Sequence, residues 1–303
     1  MKVPDILTLL ALSALWGFSF LFIRIAAPVL GPVVLVEVRV GLAAIVLIGI
    51  LFLARQQRGQ WRQLWREYLT IGMLNSVIPF TLIATAELHL TASLAAILNA
   101  TTPLFTAIAA AIWLREALTW RQVAGLIMGF GGVTLLVGWD AQAITVVVVF
   151  SVGASLLAAL SYALGGIYVK QRLAHAPPLH LALGQQATAA VVLLPFAVPQ
   201  TPRVWPAPTV VFAVVALAVV CTAFAYLLFF RLMQRVGPTK TLLVTFLVPI
   251  FGLLWGSLFL HEVITGGTLV GMGIILASVV LLLNIRPAPR RTASVVEVPL
   301  MSD

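Results

Sequence analysis

Charged side chains are scarce in this sequence. Asp, Glu, Lys and Arg make up 9% of its 303 residues, where a soluble domain carries about 25%. A chain so poor in charge cannot clothe a water-facing surface, which excludes an ordinary soluble globular protein. It has a single cysteine, Cys221, so no internal disulfide can form and the redox compartment stays open. Walker-type phosphate loops are missing, which excludes direct use of ATP by this chain. HExxH, paired catalytic carboxylates and a nucleophile-elbow serine are missing too. His89, His175, His180 and His261 fall near the ends of apolar segments. An enzyme embedded in a membrane needs Ser, Asp or His grouped at depth, and no such group is legible. Neither a cofactor nor a metal site is expected.

What the chain does have is hydrophobic length, with 62% of its residues apolar. Uncharged windows recur at 6–23, 68–86, 92–114, 122–139, 141–169, 181–202, 209–230, 241–260 and 266–285. Each is about as long as the ~20 residues a helix needs to cross the hydrocarbon core. A tenth, 33–54, is interrupted only by Glu37 and Arg39 near its start. Lipid cannot satisfy bare backbone groups, so these segments must be helices. The alternating strands of a membrane barrel are absent. The expected fold is an all-α polytopic membrane protein with ten transmembrane helices and nothing left over for a soluble domain. The first segment lacks a small-x-small cleavage site before a polar region, so it reads as retained and not as a cleaved signal. The tail 286–303, rich in proline and arginine, is expected to be disordered.

A net charge of +9 invites a nucleic-acid reading, but sidedness explains it. One side of the membrane receives Lys2; Arg55, Arg58, Arg62 and Arg66; Arg115 and Arg121; Lys170 and Arg172; Arg231, Arg235 and Lys240; and Arg286, Arg290 and Arg291. The other side receives Arg203, while Arg24 and Arg39 lie within segments. Positive loops face the cytoplasm, so both termini are expected inside, in a cell or inner membrane, and no nucleic-acid partner is expected.

One phrase is written twice. Pro103–Thr119 reads PLFTAIAAAIWLREALT, and Pro249–Thr265, 146 positions later, reads PIFGLLWGSLFLHEVIT. Held without gaps, that offset pairs Glu116 with Glu262, Thr119 with Thr265, Gly125 with Gly271, Pro32 with Pro178, Trp16 with Tyr162 and Arg24 with Lys170. Residues 1–137 and 147–283 therefore read as two copies of one five-helix unit. Five is odd, so the second copy enters the membrane upside down. Charge agrees: the first copy's loops around 55–66 and 115–121 are basic, and their equivalents around 199–208 and 261–265 carry Arg203 alone. Inverted repeats with a site between the halves near the midplane are a plan of secondary transporters.

Trp16-Gly17 in LLALSALWGFSFLFIRI, the arginine in VEVRVGLAA and both Pro…Leu-x-Glu-x-x-Thr…Gly phrases resemble the EamA-type repeat of the drug/metabolite transporter superfamily. The resemblance covers residues 6–285, once per half. Within the superfamily the chain is most similar to the YddG-type amino-acid exporters. The resemblance implies ten helices, both termini inside, a central cavity between the halves and efflux of amino acids or related metabolites. One departure is visible: Gln185 stands where the first copy has Arg39.

Pro103 and Pro249 are expected inside helices, where each would free the carbonyl four residues earlier, those of Asn99 and Thr245. Broken backbone at membrane depth is packed by protein or faces water, so a kinked pair lining a cavity and ordinary proline kinks both fit. Asn99, Thr102 and Thr106 share a face, as do Thr241 and Thr245; a cavity stripe and interhelical hydrogen bonds fit this equally. Trp16 and Phe20 share a face of the first helix. Tyr226 is the repeat partner of Phe80, which adjoins Pro79 and lies about a turn from Asn75. These aromatics could form a substrate wall or simply pack. Glu116 and Glu262 are assigned to capping or loop-fixing before Thr119 and Thr265, and Gly125-x-x-x-Gly129 to close helix contact. Glu37 and Arg39 are read as lying near the outer end of the second helix, pairing with other groups or snorkelling.

The expected function is a carrier exporting amino acids or related small metabolites by alternating access. The partners are a small-molecule substrate and the lipid bilayer, and oligomeric state is open, with a monomer allowed. No Asp, Glu, Lys or His is legible in the middle of the first, third, fourth, sixth, eighth or ninth helix, so uncoupled, facilitated efflux is expected. A multidrug or other metabolite carrier coupled to protons is the alternative, with a membrane-embedded enzyme as the more distant rival. The apparent lack of a cavity-deep Lys or Arg argues against phosphorylated substrates.

Overall fold

The computed structural model describes residues 2–54, 61–139, 145–237, 241 and 243–282. Among them every regular element is helical. Eight helices are long and apolar enough to cross a membrane: α1 (Val3–Leu30), α2 (Pro32–Leu53), α3 (Trp65–Ala86), α4 (Ala92–Trp113), α5 (Trp120–Gly138), α6 (Val146–Arg172), α7 (Pro178–Gln200) and α8 (Pro208–Val236). Two shorter apolar helices follow, α9 (Val244–Leu260) and α10 (Gly266–Leu282). At 17 residues each these are about 26 Å long, close to the ~30 Å hydrocarbon thickness. The chain is a multi-pass membrane protein. The expected disordered tail, 286–303, and the basic residues Arg55, Arg58 and Lys240 lie outside the described residues.

Local sequence sets the helix limits. Gly31, at φ 75°, breaks α1 from α2, and Pro32 opens the new helix with the fixed φ that a first turn accepts. Thr91, Thr119 and Thr145 each accept a hydrogen bond from an amide three residues on, capping α4, α5 and α6. Thr265 does the same for Thr268. Arg115 and His261, each just before the repeated glutamate, both take left-handed backbone with φ 55° and 54°.

The exterior is apolar. Phe52, Ile112, Phe150 and Val191 are each about three-quarters exposed (74%, 75%, 75% and 74%), which water would penalise and lipid tails do not. Trp65, Trp120, Trp139 and Trp205 are exposed close to helix ends, where indole rings favour the headgroup boundary.

Inside, α1 packs on α8 and α9, and α6 packs on α3 and α4. α2 lies against α7, α4 against α9 and α5 against α10. Small residues permit the close crossings. A Cβ on Gly17 would press into Phe251 of α9, and one on Gly125 would reach the Ser278 carbonyl of α10 at 3.0 Å.

Three helices are irregular. α3 widens to a π turn at Met73–Val77 and α8 at Val219–Phe224, and these turns begin 146 residues apart. α4 is interrupted at Ala100–Thr101 and restarts at Thr102. Pro103 is thus in the first turn of the restarted helix, where a missing N–H costs nothing, and not inside a continuous helix. The Asn99 carbonyl accepts from the Thr102 hydroxyl at 2.8 Å. Pro249 does lie within α9, buried.

Candidate functional site

The two π turns carry the polar centre of the bundle. A π turn adds one residue to a helical turn and leaves carbonyls short of their usual donors. In α3 the Ser161 hydroxyl of α6 donates to the Leu74 carbonyl at 2.7 Å. In α8 the Thr222 hydroxyl donates to Leu217, five residues back, at 2.8 Å. That turn aims Thr222 Oγ1 across at α2, where it accepts from Arg39 Nε at 2.9 Å.

Arg39 is 5% exposed, so of the two expected alternatives it pairs with other groups and does not snorkel. Its guanidinium lies over the ring of Phe80, 3.6 Å from the centroid, as a cation–π pair. No carboxylate among the described residues comes within the 4.0 Å of an ion pair. The argument against phosphorylated substrates, which assumed no deep cation, loses its premise.

Aromatic rings enclose this centre. Phe80 meets Tyr162 of α6 edge-on at 6.3 Å. Trp16 of α1 meets Tyr226 of α8 edge-on at 6.1 Å and tilts against Phe229 at 5.3 Å. The Tyr226 hydroxyl accepts from Gln185 Nε2 at 2.8 Å. Trp16, Tyr162 and Tyr226 of the expected site therefore come together with Phe80, the expected repeat partner of Tyr226, around Arg39 and Gln185, which lie outside the expected site. The signal was present: Arg39 is a cation inside a span, and Gln185 is its repeat partner.

The remaining expected residues have other surroundings. Phe20 is buried in the core one turn from Trp16, and Pro79 is buried beside Phe80. Asn75, in the α3 π turn, fills a notch at Gly165 of α6 that any side chain there would close. Thr102 and Thr106 spend their hydroxyls on their own helix, while Asn99 Oδ1 is buried with no partner. Thr245 and Pro249 lie on α9, which packs against α4. Glu37 is half-buried.

The repeated glutamates differ from each other, and the helix that Glu262 caps is not the one expected. Glu262 does not serve its own loop: its carboxylate accepts from the amides of Ala92 at 2.7 Å and Ser93 at 3.0 Å and from the Ser93 hydroxyl. It thus caps α4, a helix of the other half of the chain, with negative charge at the N-terminal end of the dipole. Glu116 is exposed. Gly271 of α10 packs on Leu136 of α5, where a Cβ would come within 2.8 Å of the Leu136 Cβ.

No group of three His, Cys, Asp or Glu side chains suited to a metal occurs among the described residues.

Comparison with known proteins decides the family. Residues 4–138 and 149–284 each match the EamA-like transporter family. The chain belongs to that family. It is 25% identical to the uncharacterized transporter YvbV of Bacillus subtilis (strain 168), over 97% of this chain and 96% of the relative. It is 22% identical to the uncharacterized transporter YoaV of the same organism over 89% and 93%, and 26% identical to protein PecM of Dickeya dadantii (strain 3937) over 75% and 76%. A solved crystal structure shares the fold with TM-score 0.64 and 20% identity, covering 93% of this chain and 96% of that one. This EamA-like protein is a membrane transporter by kinship.

Proposed function

We propose that this EamA-like protein exports amino acids or related small carboxylates by alternating access, down their own gradient. The observation that carries this is Arg39. A buried cation with no carboxylate partner is costly, and a substrate anion is the group that would relieve the cost. A single guanidinium, flanked by neutral donors and rings, matches the single charge of a carboxylate better than a phosphate of about −1.5 to −2. The rings of Trp16, Phe80, Tyr162 and Tyr226 offer an apolar wall for the rest of the substrate.

The carrier is read as ten helices in two inverted units, 1–137 and 147–283. Several observations support this. The family matches twice, once in each half. Helix contacts map onto themselves when each helix is replaced by the one five places on: α1 on α9 answers α6 on α4, and α3 on α6 answers α8 on α1. Arg39 over Phe80 answers Gln185 on Tyr226, and Tyr162 on Phe80 answers Trp16 on Tyr226. Under this reading the centre sits on the pseudo-twofold axis, where one half rocking against the other would expose it to each face in turn. On this reading, which the basic loops support, both termini face the cytoplasm and the α3–α4 turn faces outward.

Proteoliposomes holding the full chain test the substrate class. Loaded with radiolabelled amino acids, their decarboxylated amines and their des-amino acids, they should release the carboxylates and retain the amines. Equal release of the amines would sink the assignment.

A further inference from the structure

At the turn from α3 to α4, Glu87 directly follows the last residue of the span. Its side chain is 0% exposed, and neither carboxyl oxygen has a hydrogen-bond partner. Arg24 of α1 reaches this turn, yet Nη1 donates to the Glu87 backbone carbonyl and not to the carboxyl group. Glu262, after α9, is the other acid whose charge acts on it, and it is committed to Ala92 and Ser93. Burial and then the Glu262 charge push the Glu87 carboxyl well above the usual carboxylate range, while Arg24 and the more distant Arg39 oppose them. His89 and His261 near this corner are exposed to the exterior.

We propose that Glu87 is a proton-binding site that holds this corner shut: the neutral acid stays buried while Glu262 clasps the start of α4, and parting the two wets Glu87 and lets its proton go. Ionised, Glu87 would leave a charge in a dry site without a donor and beside a second carboxylate, which is a cost the open corner does not bear. The closed form therefore binds the proton more tightly than the open one. Its advantage is fully present at low pH and is lost as pH rises through the closed-state pKa. Because the site opens toward one face, it gates the carrier from that face and does not carry protons across. The inference rests on the orientation proposed above only for naming that face the exterior.

The test uses Ala95→Cys in a Cys221→Ala background, since Ala95 is 1% exposed one turn into α4. Its rate of labelling by an impermeant thiol reagent is divided by that of Val263→Cys, a 78% exposed position that reports the intrinsic pH dependence of a thiol. In whole cells this ratio should rise at least about tenfold as external pH goes from about 5 to about 8, and should stay low and flat in Glu87→Gln. Glu262→Gln keeps an accepting oxygen but removes the neighbouring charge, so it should move the midpoint to lower pH. That shift can be read even where Glu87→Gln does not accumulate. A flat ratio in the native background, the same slope in Glu87→Gln, or an unmoved midpoint in Glu262→Gln would overturn the proposal. A response to internal pH alone, seen in inverted vesicles labelled from their exposed face, would uphold the proton site and refute the orientation.

Discussion

Tyr226 and Gln185 are the residues on which the polar centre can be probed without removing its charge. Tyr226→Phe deletes the acceptor of a 2.8 Å bond and leaves a Gln185 amide N–H unpaired in a buried place, a cost of about 1–3 kcal/mol. KM for a carboxylate substrate should rise about two- to tenfold, with little change in protein yield. Concentration-dependent efflux measures this, and an unchanged KM would make the bond structural only. At this scale the sequence disclosed part of the site. Trp16 and Tyr162 were legible because a duplicated phrase holds them in register. Arg39 was legible only as a cation inside a span, and neither its surroundings nor those of Glu87 were, because apolarity windows place a residue along a helix and say nothing of what it faces. Arg39 falls about 10 Å from the start of α2 at 1.5 Å per residue, yet packing on Phe80 and Thr222 draws it into the centre.

Prolines and π turns are the devices of the elements. Pro249 lies inside α9 and is buried, whereas Pro103 opens the second half of α4. Pro249→Ala should therefore straighten α9 and lower the initial efflux rate several-fold at equal protein level, while Pro103→Ala should have the smaller effect. Equal rates in Pro249→Ala and the native protein would reduce that proline to packing. The break in α4 was legible from proline, but its position was not: it falls at Ala100–Thr101, where Thr102 supplies a hydroxyl to the Asn99 carbonyl. The π turns had no sequence signal at all. They follow from tertiary contacts, with Ser161 supplying the donor that a carbonyl of α3 lacks, and such contacts are invisible to a helical period. The same holds for Glu262. Its spacing before Thr265 suggested a local cap, and only the crossing of α9 with α4 brings Ala92 and Ser93 to its carboxylate.

For the whole molecule, sidedness and energy supply are the proposed properties open to test. In a Cys221→Ala background, Arg62→Cys and Arg121→Cys should resist an impermeant thiol reagent added to intact cells, while Arg203→Cys should react. Reaction at Arg62→Cys or Arg121→Cys would end the model of cytoplasmic termini. With substrate equal on both sides of a proteoliposome, an imposed pH gradient of either sign should drive no net movement, although external acid should slow exchange through Glu87. Net movement that follows the gradient would show coupling.

The proposed function turns on whether Arg39 receives the substrate's negative group. Counterflow of a radiolabelled amino acid in proteoliposomes, compared between the native protein and Arg39→Gln, reads this directly. The native protein should show a transient overshoot with the amino acid and none with its decarboxylated amine. Arg39→Gln, matched for folded protein by its elution as a single species, should lose the overshoot. An Arg39→Gln protein that exchanges the amino acid at the native rate would contradict the account.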